Sequence, residues 1–176
     1  MTKGIATQNN AFKVYDVDAS DELPGVVTIQ LPSLELLKNS FKGAGVAGEI
    51  NVPVPGMMSA LTATLSFPKG YGGLARLFAL AKTGTLDLRN DITVNNTDNH
   101  KLLHIRDRWV LKGPLSKYDP GKIEQAATSD GSIDLEVYKL QHWLDGEEVL
   151  EWDPFNYIYT VNGEDMLAEL RQNILA

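Results

Sequence analysis

The sequence predicts a mainly β fold, an antiparallel β-sandwich or barrel with two short helices and an extended arm rich in glycine and proline. Three observations lead there. Apolar and polar residues alternate over short runs, as at Leu61, Ala63 and Leu65 and again at Ile133, Leu135 and Val137, which is the period of a strand with one buried face. Turn-forming pairs such as Asp145-Gly146 stand between such runs. The runs follow one another directly, without the intervening helical segments that parallel sheets need.

Phe12 to Val17 reads as an edge strand entering from the N-terminal end, and Val26 to Leu31 as a β-branched strand stopped by Pro32. Residues 38–56 are so rich in glycine and proline that they read as an extended arm. Leu61 to Ser66 is a half-buried strand ending at Phe67-Pro68. Leu74, Leu77, Phe78 and Ala81 recur at helical spacing, with Gly84 placed as the left-handed residue beyond the helix.

Leu86 to Val94 and Lys101 to Lys112 form a long hairpin through the Asn- and Asp-rich turn 95–99. In its second arm Leu103, Ile105, Trp109 and Leu111 share a core-directed face, with Asp107 the polar exception. His104, Arg106, Arg108 and Lys112 share the other face, which is basic. Gly113 to Ala127 reads as a connection, and the strand of Ile133, Leu135 and Val137 turns Asp134 and Glu136 outward. Asp145-Gly146 then turns the chain into Glu148 to Trp152. Asn162-Gly163 precedes a terminal helix with Glu164 and Asp165 in its first turn and Met166, Leu167, Leu170 and Ile174 as its buried stripe. The count is seven or eight strands and two helices.

At 176 residues with 43% apolar and 22% charged side chains, the chain fits one domain, 1–176, and a soluble globular composition. It has no cysteine, which excludes disulfides and thiolate metal sites. A net charge of -7 argues against tight binding to a phosphate backbone, whose affinity comes from Lys and Arg. The first ten residues lack the apolar core of a signal peptide, and no apolar run is long enough to span a bilayer. Synthesis in the cytoplasm without stable membrane association is expected.

Gly43, Gly45 and Gly48 match G-x-G-x-x-G, but the following Glu49 to Pro55 contains two prolines and cannot continue the helix that a dinucleotide site requires. Arm flexibility explains these glycines better. His100 and His104 share a strand face but lie about 13 Å apart, too far for one ion, so no metal is expected. No nucleophile elbow or phosphate loop is present, and neither catalytic residues nor a cofactor are expected. Trp109, Trp143 and Trp152 read as core or interface anchors before they read as a sugar groove.

The pattern YKL-x3-LDGEEVLEWD-x2-N-x4-VNGEDML-x3-R-x-NIL, from Tyr138 to Leu175, resembles the C-terminal block of the major tail tube proteins of contractile-tailed phages, the P2-like family, and of the equivalent tube in phage tail-like bacteriocins. The segment Gly43 to Gly48 looks like that family's AGM-x-G stretch. The resemblance implies a structural protein, not an enzyme. It implies six copies per ring, sheets joined into a continuous inner barrel, and rings stacked into a tube. The implied partners are further copies of the chain, a tail sheath protein, a baseplate initiator and a tape-measure protein, with DNA only as passing cargo. The implied location is the tail of a virion or a tail-like particle.

Within that frame the arm residues Gly43, Gly45, Gly48, Val52, Pro53 and Pro55 are expected to contact a neighbouring subunit, and Asp134 and Glu136 to face the lumen. Two other readings stay open from the residues. One is a ring-forming tube of bacterial secretion machines; the other is a β-sandwich carbohydrate-binding protein or hydrolase.

Overall fold

The structure is a computed structural model that describes residues 4–18, 20–23, 25–43, 45, 47–68, 81–125 and 130–175. Along the chain run β1 (Gly4–Asp16), β2 (Asp21–Glu22), β3 (Thr28–Gln30), β4 (Leu36–Phe41), β5 (Ile50–Met58), β6 (Leu61–Phe67) and β7 (Thr83–Asn96). There follow β8 (Leu102–Asp119), β9 (Gly131–Val137), β10 (Lys139–Leu144), β11 (Glu147–Asp153), β12 (Ile158–Val161), β13 (Glu164–Asp165) and the helix α1 (Ala168–Leu175). The mainly β, antiparallel expectation holds, and α1 is the one helix among the described residues. Of the expected first helix, Leu74, Leu77 and Phe78 lie outside the described residues.

Eight strands make one long sheet in the order β13-β12-β11-β10-β8-β7-β1-β2, and β3, β6 and β9 make a second layer that joins it through β8. The join is a corner. β8 pairs with β10 as far as Lys112 and with β7 as far as Pro114, then pairs with β9 from Leu115 onward. The chain returns the same way where β9 ends at Val137 and β10 begins at Lys139. Such sheet-switching strands are how a sandwich turns its corners. The expected connection from Gly113 is therefore strand as far as Asp119. Pro114 is tolerated because the sheet changes at that residue, where a missing N–H interrupts little of the ladder.

The core lies between the layers. Val14, Leu86, Leu88, Leu111, Leu140 and Trp152 of the long sheet and Leu61, Leu65, Phe67, Ile133, Leu135 and Val137 of the second form one buried cluster. Full burial of each such side chain contributes about 1.5–3 kcal/mol. The alternation read from β6 and β9 is the alternation of burial.

Asp145 (φ 54) and Gly146 (φ 89) form the two left-handed positions of a tight hairpin turn between β10 and β11. Asn162 (φ 49) and Gly163 (φ 81) form a second such turn, and here the expectation needs correcting. Glu164 and Asp165 belong to strand β13, paired with Val161 and Thr160, and the helix starts only at Ala168. Asp165 serves the helix from outside, accepting the Leu167 N–H at 3.0 Å and pairing with Arg171. Of the expected buried stripe only Leu167 is buried; Met166 and Ile174 are about half exposed. Gly84 also differs from expectation, sitting within β7, while Ala81 takes the left-handed conformation at φ 63.

Candidate assembly surfaces

The polar face of the long sheet carries one row across five strands: Lys13, Arg89, Arg108, Trp143 and Glu148 are register partners on β1, β7, β8, β10 and β11. Two arginines directly opposite one another repel. Asp87, one step along β7, resolves this. Arg108 donates to it through Nε at 2.8 Å and Nη2 at 3.1 Å, and Arg89 through Nη2 at 2.9 Å and Nε at 3.1 Å. The two guanidiniums then lie over Trp143 and Tyr15 respectively, 5.1 and 4.6 Å from the ring centroids. Arg89, Arg106, Arg108, Trp143 and Gly146 line a concavity of about 460 Å3 on this face.

Burial alone would push the Asp87 carboxyl up, but the hydrogen bonds and charges of Arg108 and Arg89 outweigh it and hold the group below its ordinary value of 3.8. A carboxyl lowered in the folded state stabilises fully above its unfolded value, and that contribution is lost as pH falls through the folded value. Asp87→Asn is expected to lower stability by about 2 kcal/mol at neutral pH, less than a fully buried pair because both arginines are half exposed. Urea unfolding should show the gap between parent and variant closing below pH 3.8; a gap independent of pH would contradict this.

On the opposite face Asp107 is buried, accepting from Asn90 at 3.2 Å and lying 2.7 Å from His142 Nε2, while the His142 ring stacks on Trp109 at 3.8 Å. Burial pushes Asp107 up, and the His142 and Asn90 hydrogen bonds outweigh that to keep it lowered. This answers why an aspartate sits on the apolar side of β8. Farther out, β1, β7, β8, β10 and β11 extend beyond the second layer. Ala6, Ile92, Val94, Ile105, Leu144 and Val149 there line an apolar groove of about 320 Å3 to which the second layer contributes no residue.

The expected arm is a hairpin of its own, β4 against β5, forming a two-stranded sheet apart from the long one. Its register puts Asn39 and Phe41 on one face with Val52 and Ile50, and Lys38 and Ser40 on the other with Pro53 and Asn51. Phe41, Ile50 and Val52 are each about half exposed. Its base is fixed where Gly56 (φ +72) passes over Leu167, so close that a Cβ would sit 2.4 Å from Leu167 Cδ2. Gly45 (φ +94) and Gly48 (φ +142) lie in the connection between its strands, and β5 follows where a nucleotide site would need a helix. A free two-stranded hairpin is marginal in water, and among the described residues the Phe41, Ile50 and Val52 face of this one stays about half exposed.

Asp134 and Glu136 lie on the outer face of the second layer, held by hydroxyls: Thr64 donates to Asp134 at 2.8 Å, and Thr62 and Ser116 to Glu136 at 3.1 and 2.8 Å. The three tryptophans are dispersed. Trp152 is in the core, Trp109 stacks on His142 and Trp143 lies under Arg108, so they do not make one groove. Among the described residues no three metal-ligating side chains come together.

The family model for phage tail tube protein FII matches residues 10–174. The chain belongs to that family. It is a structural tail tube protein, mainly β, and its similarity to known proteins runs nearly its full length. It is 25% identical over 150 residues to the tail tube protein of Escherichia phage P2, covering 84% of this chain and 85% of the relative. Its fold resembles that of a chain in the cryo-EM structure of an extracellular contractile injection system, the PVC sheath/tube terminator in its extended state. The TM-score is 0.51 at 12% identity, over 75% of this chain and 92% of that one.

Two features of this tail tube protein escaped the sequence reading. The clasp of Arg89 and Arg108 on Asp87 joins residues from two strands, and only the i, i+2 spacing of Asp87 with Arg89 and of Arg106 with Arg108 signalled a shared face. The apolar face of the arm was hidden because glycine and proline dominate its composition.

Proposed function

We propose that six copies of the chain close into a ring and that stacked rings form the inner tube of a contractile tail, a conduit for DNA ejection or for puncture of a cell envelope. The family match over residues 10–174 carries this reading. The free edge of β1 supports it: β2 pairs only with Tyr15 and Asp16, so residues 4–13 present unpaired backbone beyond β7, a liability in a monomer and a joint in a polymer. The arm from Gly43 to Pro55, with Gly45, Gly48, Val52 and Pro53, reaches a neighbouring subunit through its Phe41 face. A sheath protein, an initiator at the baseplate and a tape-measure protein complete the tail.

The topology supports a lumen other than the one expected at Asp134 and Glu136. Among the described residues the long sheet ends in β13 and β2, each with a single strand partner, which supports this sheet as the one that continues from copy to copy, with its uncovered polar face lining the channel. Asp134 and Glu136 then point out of the wall instead of into it. Electron microscopy of the purified chain tests the polymer, with hollow tubes expected and a persistent monomer overturning it. The absence of cysteine makes the wall testable as well. In assembled tubes Thr62→Cys, beside Glu136, should react with a bulky maleimide as fast as in the monomer, and Arg106→Cys about tenfold slower. The reverse order returns the lumen to Asp134 and Glu136.

A further inference from the structure

The concavity of about 460 Å3 on the polar face gathers three exposed guanidiniums, those of Arg89, Arg106 and Arg108. Arg89 and Arg108 are register partners on β7 and β8, and Arg106 stands two residues along β8 on the same face. Neighbouring Cα atoms in this set are about 5–7 Å apart. One carboxylate answers two of the three. Asp87 accepts from Nε and Nη2 of both Arg89 and Arg108, which leaves Nη1 of each with its donors unused, out of five N–H donors per guanidinium. Arg106 forms neither an ion pair nor a side-chain hydrogen bond among the described residues.

The other charges of this face are engaged outside the concavity. Asp91, opposite Arg106 in register, accepts from Asn10 at 2.7 Å and lies 2.7 Å from His104 Nδ1. Asp107 turns to His142 and Asn90 on the opposite face. Glu148, beyond Trp143, accepts from Gln141, and Lys13 is paired with Glu22. Three cations therefore surround one carboxylate inside the concavity. Two of them are also held in place, by paired bonds to Asp87 and by the rings of Trp143 and Tyr15. Ordering such a side chain on binding costs about 0.5–1.5 kcal/mol, and here that order exists in the free chain.

We propose that this concavity is an oxyanion site that takes a phosphate group, free or as the phosphodiester of a nucleic acid strand. A guanidinium fork matches phosphate oxygens two at a time. A carboxylate offers two oxygens in one plane, the part Asp87 already fills, whereas a tetrahedral phosphate offers oxygens in several directions and can meet forks from two strands. The net charge of -7 limits the affinity without abolishing the site, because charges beyond about 8 Å are screened at physiological salt. The site belongs to the folded chain and does not depend on the ring. On the face proposed as the channel wall it gives a passing strand one weak contact per copy.

Equilibrium dialysis at low salt, which reads single chains and polymer alike, tests this with inorganic phosphate, succinate and a thymidine oligonucleotide as probes. Arg106→Gln leaves the Asp87 clasp intact and is expected to weaken phosphate binding about tenfold, and Arg106→Lys, which keeps the charge without the fork, about threefold. Lys101→Gln removes the same charge from the exposed loop between β7 and β8 and should change binding by less than about twofold. Circular dichroism matching the parent shows that each variant is folded. Oligonucleotide binding that falls in step with phosphate assigns the site to the phosphates of a strand, and phosphate binding without it assigns the site to the free ion. Succinate held as tightly as phosphate overturns the proposal, as do equal losses in Arg106→Gln and Lys101→Gln, the mark of diffuse charge. So does a parent chain that holds no phosphate at millimolar concentration. A chain that binds phosphate but never forms tubes leaves the site standing and overturns only the ring reading.

Discussion

Replacing both Phe41 and Val52 by Asp is expected to abolish tube formation and leave a folded monomer. Both side chains lie on the free face of the β4–β5 hairpin, 52% and 46% exposed, and neither belongs to the core cluster. Covering the remaining half of each on docking contributes about 1 kcal/mol apiece, and an unpaired carboxylate forced into that contact costs several kcal/mol more. The junction should weaken by a factor of about 100 or more, which polymerisation multiplies at every subunit. Sedimentation and electron microscopy read the loss, and a thermal melt within a few degrees of the parent shows that folding is intact. Tubes of normal length would remove the arm from the junction.

Gly113→Val is expected to have the largest effect on folding. A Cβ at Gly113 would sit 1.7 Å from the carbonyl oxygen of Glu136 and 2.8 Å from its carbon. These are backbone atoms of the next layer, not the end of a side chain that can swing away. At the same corner Tyr138 donates its N–H to Lys112 at 2.8 Å, so the strands cannot separate without breaking the turn between the two sheets. Overpacking of a core typically costs about 1–3 kcal/mol and more where the neighbour is fixed; here about 4 kcal/mol is expected, a large part of the stability of a small domain. Urea denaturation measures it. A loss below about 1 kcal/mol would show that the corner can open.

The strands were legible wherever one face meets the core. Leu61 to Phe67 and Ile133 to Val137 alternate in burial as they alternate in sequence, and the Asp145-Gly146 and Asn162-Gly163 turns take the left-handed conformations that their residues favour. The helix at the C-terminus was misplaced because Glu164 and Asp165 suit a helix N-terminus by charge, while pairing with β12 claimed them first. The strand after Gly113 was missed because Pro114 marks a break in one sheet, and nothing local tells that a second sheet takes over. The arm was recognised by composition, yet its apolar face depends on which residues of β4 lie opposite which of β5.

The sequence by itself determined the antiparallel β class, the Asp145-Gly146 turn and the family, because each rests on neighbours in the chain: an alternation of period two, a pair of residues able to take positive φ, a C-terminal signature. Only the tertiary structure decided which surfaces stay exposed among the described residues. The clasp of Arg89 and Arg108 on Asp87 and the free edge of β1 both follow from pairing between distant strands. Such pairing is chosen by the fit of whole sheets, and no short stretch of residues encodes it.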